Sequence, residues 1–137
     1  ALAKNKLVNI HSLIGLAVAP DFTKELIWNT LSDKKKEEVI INNKFSLSED
    51  LEISYQFIKD GENNLVLKSP IEFEGSVYLY HGMMDTEVPY KLSEKVLKKI
   101  ITSNDVKLIL EKHGEHRLSE IDEIETIKTL LKKISKT

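Results

Sequence analysis

Ser76-Val-Tyr-Leu-Tyr-His-Gly-Met-Met-Asp-Thr-Glu-Val-Pro89 is the stretch around which the chain is organised. Its opening run, Val77–Tyr80, is short, apolar and rich in β-branched and aromatic residues, which is the composition of a strand. His81-Gly82 ends that run and lets the backbone turn. Asp85 follows on the loop, and Pro89 stands where a helix would take its first residue. Open parallel sheets present a carboxylate in this way, with an acid on the loop between a strand and the helix that follows. Downstream, Gly114-Glu-His-Arg117 repeats the pattern, and His116 comes directly after a strand-like run. Asp85 and His116 are 31 residues apart (116 − 85). That leaves room for one helix and one strand, so both side chains are expected at one edge of the sheet. Such a carboxylate accepts the imidazole N–H, fixes the tautomer and stabilises the imidazolium formed in general-base catalysis.

Each of these residues also has a plainer use. A loop aspartate before a helix often only caps it, and a lone histidine in a turn is usually a surface residue. Glu87 is the fallback acid and is expected to face solvent, while His113 is expected to be structural or exposed. His81, His113, His116 and Asp85 match no strong metal-ligand spacing, so neither a metal nor a cofactor is expected.

Composition narrows the class. A chain of 137 residues is ordinarily one domain with a respectable core. Its 41% hydrophobic and 31% charged residues and its net charge of −2 are those of a globular protein. Among the 20 basic residues Arg117 is the single arginine, and the lysines interleave with acids. That mixing suits a solvated surface and offers no phosphate patch, so no nucleic-acid partner is expected. The absence of cysteine excludes disulfides, thiolate nucleophiles and zinc-thiolate sites. The longest apolar run, Leu13–Pro20, is far too short to span a bilayer and lacks the flanks of a signal peptide. A cytoplasmic location with no membrane partner is the default expectation. The chain opens Ala-Leu-Ala-Lys without an initiator Met, as a piece of a longer polypeptide would.

Helix formers fill Ala1–Val8, which reads as the end of a helix. Leu13–Ala19 is apolar throughout, as in a strand covered on both faces. Asp21 is placed to cap a helix through Leu31, and Ser32-Asp33 to start another over Lys34–Ile41. Residues 43–54 alternate, as a short strand or extended loop does, and Tyr55–Leu67 returns to helical spacing despite Gly61. Tyr90–Ile101 is an amphipathic helix, Val106–Leu110 a strand and Ser119–Ile134 a last helix, with Ser119 and Asp122 as its starting signal. The sum is a small parallel sheet with helices on its faces, an α/β class.

His81-Gly82-Met83-Met84-Asp85-Thr86-Glu87-Val88-Pro89 and Gly114-Glu115-His116-Arg117 resemble the acid and base loops of serine-type α/β-hydrolases. Gly15-Leu-Ala-Val-Ala-Pro-Asp-Phe-Thr23 and Ile53-Ser-Tyr-Gln-Phe-Ile-Lys-Asp-Gly61 narrow the resemblance to the esterase and thioesterase branch that includes mycophenolic acid acyl-glucuronide esterase. The likeness spans nearly the whole of residues 1–137 and implies the C-terminal half of that fold. On this likeness Asp85 is the acid and His116 the base of a Ser-Asp-His triad, and residues 21–70 are a lid insert. The strands on either side would be the sixth, seventh and eighth of the full fold.

One element of that family pattern is missing. Family members carry a G-x-S-x-G elbow upstream, in the chain order Ser, acid, His. No two of Gly15, Gly61, Gly75, Gly82 and Gly114 flank a serine at that spacing, and Ser12 and Ser76 sit at the wrong ends of strands. The resemblance therefore implies a fragment that is inactive alone, completed by an amino-terminal half for hydrolysis of a small acyl ester or thioester. The alternative is a non-catalytic module. An apolar edge at Leu13–Val18 without its partner strand is expected to drive homo-oligomerisation there or through the lid. Phe22, Trp28, Phe45, Tyr55 and Phe57 would line an acyl pocket or simply pack a core.

Overall fold

The computed structural model describes residues 10–49 and 51–135; the helix expected over Ala1–Val8 lies outside them. The chain divides into two compact units, one made of 1–19 with 66–137 and the other of Pro20–Leu65.

The first unit is built on three strands: β1 (Ser12–Leu16), β4 (Ser76–Gly82) and β5 (Val106–Glu111). They are parallel, in the order β1-β4-β5, with Leu13 opposite Val77 and Val77 opposite Val106. The apolar run at Val77 is explained by burial on both faces of its strand. On one face Val77 and Leu79 pack with Leu67, Ile71 and Phe73, and with Val96 and Leu97 of helix α3 (Lys91–Lys99). On the other face Tyr78 and Tyr80 pack with Leu118, and with Ile127, Leu130 and Ile134 of helix α4 (Ile121–Ile134). Every residue from Val77 to Gly82 is buried, whereas β1 is only half-buried and ends at an exposed Leu16. Among the described residues β1 has a strand on one side only.

Three local expectations shift. The strand runs on through His81 and Gly82 instead of stopping at Tyr80, because both residues continue the ladder with β5. Pro89 lies one residue outside the N-cap of α3, which is Tyr90. The last helix is capped by Glu120 and Glu123 in a reciprocal capping box, one position beyond the expected Ser119–Asp122 pair.

The second unit contains α1 (Asp33–Asn42), the antiparallel hairpin of β2 (Lys44–Ser48) and β3 (Leu51–Ser54), and α2 (Tyr55–Asn63). Ser32 and Ser54 cap the two helices by accepting the N–H groups of Lys35 and Phe57. Its core is Ile27, Val39, Phe45, Ile53 and Ile58, with Trp28, Leu31 and Tyr55 against it. The helix expected from Asp21 to Leu31 is instead a π turn over Thr23–Ile27 followed by a 3₁₀ turn over Trp28–Thr30. Asp21 stands at φ 55, so it turns the chain and Phe22 takes the N-cap position. Gly61 inside α2 has a packing reason, since a Cβ there would lie 2.1 Å from the hydroxyl oxygen of the buried Thr23.

Candidate active site

At the carboxyl ends of β4 and β5 the backbone brings two loops together. Gly82 permits the approach: a Cβ on it would sit 2.1 Å from the carbonyl oxygen of Gly114. The Met83 N–H donates to Glu111 O at 2.8 Å and the Met84 N–H to Gly114 O at 3.0 Å, which stitches the loop after β4 to the loop after β5. Leu118 holds the second loop from below. It is buried in the α4 core at φ 46, a left-handed conformation that is costly for a branched side chain and tolerated where the surroundings dictate it.

On this frame His116 Nδ1 lies 2.9 Å from Asp85 Oδ2. The Asp85 side chain is fully buried and the His116 side chain is 35% exposed. The other carboxylate oxygen, Oδ1, accepts the N–H groups of Glu87 at 2.9 Å and Val88 at 2.8 Å. Burial pushes the Asp85 carboxyl up, but the Val88 N–H, the His116 imidazole and the Glu87 N–H outweigh it and hold the group below its ordinary value. The hydrogen bond to Asp85 raises His116 above 6.5; burial opposes it, and the charges of Asp85 and Glu87 add to it. Since Oδ2 can only accept, Nδ1 carries the proton, and Nε2 is left as the atom able to take one. Glu87 reaches the Nε2 side, with its Oε2 at 3.8 Å, and is itself mostly exposed.

The two residues singled out in the sequence thus meet 31 positions apart. His113 is exposed, and among the described residues no cluster of three metal-ligating side chains forms. Sequence reasoning missed the use of His81. It is fully buried, with Nδ1 at 2.6 Å from Ser93 Oγ and Nε2 at 2.8 Å from Val88 O and 3.2 Å from Asp85 Oδ2. The signal was available, because a histidine that prolongs a run of buried strand residues must find partners inside the fold. Of the five aromatic residues considered for an acyl pocket, Phe45 is buried in the core of its unit, with Trp28 and Tyr55 packed against it. Phe22 and Phe57 pair at 6.0 Å and are both exposed.

Comparison with known proteins gives a consistent set of relatives. No family model matches the chain. The palmitoyl-protein thioesterase ABHD10, mitochondrial, of Homo sapiens is 37% identical over 92% of this chain and 44% of its own length. Among solved structures, mouse alpha/beta hydrolase domain-containing protein 10 superposes with a TM-score of 0.82 and 32% identity, over 96% of this chain and 56% of that one. A protein from Agrobacterium vitis S4 gives the same TM-score at 27% identity, over 92% of this chain and 50% of the other. The chain therefore spans less than half the length of the curated relatives it matches.

Proposed function

Since the chain carries the C-terminal half of an α/β-hydrolase fold, we propose that it supplies the acid and the base of a Ser-Asp-His triad that hydrolyses carboxylic esters or thioesters. The observation that carries this reading is the 2.9 Å contact between His116 Nδ1 and the buried Asp85 Oδ2 at the ends of neighbouring parallel strands. His116 Nε2 takes the proton of a serine hydroxyl as that oxygen attacks the acyl carbon. It then returns the proton to the departing alcohol or thiol, which leaves an acyl-serine. Water, deprotonated by the same Nε2, cleaves the acyl-serine and releases the acid. Asp85 stays ionised throughout and stabilises the imidazolium.

The serine and the oxyanion donors come from outside residues 1–137, and residues 21–70 take the lid insert's place in chain order. An acyl thioester is the favoured substrate class, after the activity in the name of the mammalian relatives. The test mixes this chain with a polypeptide carrying the remaining strands and a G-x-S-x-G serine, and follows hydrolysis of an acyl thioester. The chain alone should be inert and resist a fluorophosphonate probe. Mixing should produce turnover that His116→Ala abolishes; no gain on mixing rejects the reading.

A second reading is favoured by the place of β1 at the sheet edge: self-association through Leu13–Val18. Light scattering at micromolar concentration should then show a dimer, and a clean monomer removes it.

A further inference from the structure

We propose that His81 is a positioning residue: its buried imidazole, fixed by Ser93, holds the Asp85 carboxylate in the orientation that meets His116. The local partners assign the proton. Nε2 faces two acceptors, the Val88 carbonyl oxygen at 2.8 Å and Asp85 Oδ2 at 3.2 Å, so the hydrogen sits on Nε2 and is shared between them. Nδ1 then presents a lone pair to the Ser93 hydroxyl at 2.6 Å, which donates. Ser93 is fully buried in the first turn of α3, so this donor has no exchange with water to lose. A serine hydroxyl donates or accepts, so the two acceptors at Nε2 set the tautomer and Ser93 answers it by donating to Nδ1. Ser93 therefore fixes the orientation of the ring in that tautomer.

The consequence concerns which histidine anchors the acid. Asp85 Oδ2 receives two imidazoles, one from His81 on a buried strand and one from His116 on a partly exposed loop. Oδ1 is occupied by two backbone N–H groups of its own loop. With three of the four donors on the backbone of its own loop or on the buried His81, the carboxylate keeps its place whether or not His116 is engaged. Preorganisation of that kind lets the base change protonation without the acid following it. The charged or titratable groups about Asp85 are His81 and His116, with Glu87 beyond the latter. The plainer role, in which His81 only satisfies the Val88 carbonyl and fills space, would affect stability but not the titration of Asp85.

The proposal rests on the acid-base reading only for its catalytic meaning, and its test needs no turnover. In the intact 137-residue chain, long-range ¹H–¹⁵N spectra should find the His81 proton on Nε2; a proton on Nδ1 overturns the proposal. Carboxyl ¹³C titration should show the Asp85 midpoint rising by about one pH unit in His81→Leu, because a donor to the charged form is lost. His81→Gln, which keeps an N–H, should recover at least half of that rise. An unchanged Asp85 in folded His81→Leu overturns the proposal. If His81→Leu does not fold, Ser93→Ala decides: with its Nδ1 anchor gone the His81 ring should hold Asp85 less well and the Asp85 midpoint should rise, and an unchanged Asp85 midpoint contradicts the role of Ser93. Failure to hydrolyse esters on completion would count against the triad reading and leave these spectra standing.

Discussion

The two ends of the same short sheet each carry an aspartate with a cationic or potentially cationic partner, and they differ in what surrounds the pair. At the amino end, Asp105 just before β5 meets the Lys107 ammonium and the Tyr78 hydroxyl, with Lys107 half-exposed. Lys107 first, and Tyr78 after it, hold the Asp105 carboxyl far below its ordinary value. At the carboxyl end Asp85 is also held low, but against the cost of burial and with a partner, His116, whose titration is raised from 6.5 by that contact. A depressed carboxylate alone therefore does not mark a functional site. What separates the two ends is desolvation, and a partner able to pass a proton at working pH. Lysine at the amino end remains charged throughout that range.

The largest expected difference comes from removing the acid at each end. Asp85→Asn should cut turnover of the completed enzyme by about 10⁴-fold. Asp85→Ala should cost about 3 kcal/mol by leaving buried partners unmatched, read as a lowered denaturation midpoint. Asp105→Asn should leave turnover and the titration of His116 unchanged; a large loss of activity there would erase the contrast. Next in size, Gly82→Ala should destabilise the chain by about 1–3 kcal/mol, because the added carbon meets the Gly114 backbone rather than a side chain that can swing away. It should also loosen the contact of His116 with Asp85, visible as a fall in the His116 midpoint.

The pH dependence has a defined sign. The folded Asp85 value lies below 3.8, so its contribution is present above 3.8 and is lost as pH falls through the lower folded value. The folded His116 value lies above 6.5, so its contribution is complete below 6.5 and is lost as pH rises through the raised value. The stability gap between wild type and Asp85→Asn should therefore be widest between pH 3.8 and 6.5 and narrow as pH rises through the raised His116 value. A gap that grows toward alkaline pH would contradict the pairing. The smallest effect is expected from Glu87→Gln. It removes one exposed charge from the Nε2 side of His116 and should lower the His116 midpoint slightly, less than Asp85→Asn does.

The carboxyl end of the sheet was largely legible in the sequence. Val77–Tyr80 is apolar on both faces because helices cover both, and the spacing of Asp85 and His116 is that of one strand-helix-strand unit. The insert was less so. Asp21 has the composition of a helix cap, yet its left-handed backbone makes a turn, and no periodicity announces a π turn over Thr23–Ile27. Residues 43–54 alternate correctly for strands, but no glycine or proline between Ser48 and Leu51 announces the hairpin in the sequence. The cap of α4 slipped by one residue because Glu120 and Glu123 satisfy each other's backbone as well as Ser119 and Asp122 could have done. His81 escaped because the apolar pattern ends at Tyr80 although the strand runs on through His81, whose partners Asp85, Val88 and Ser93 all follow within the next turn and helix start.

The most direct measurement is an NMR pH titration of the His116 imidazole in the wild-type chain and in Asp85→Asn. The paired geometry requires a midpoint above 6.5 in the wild type that drops toward 6.5 in the variant. A His116 that titrates at its ordinary value in both proteins would mean that Asp85 and His116 do not form the acid-base pair.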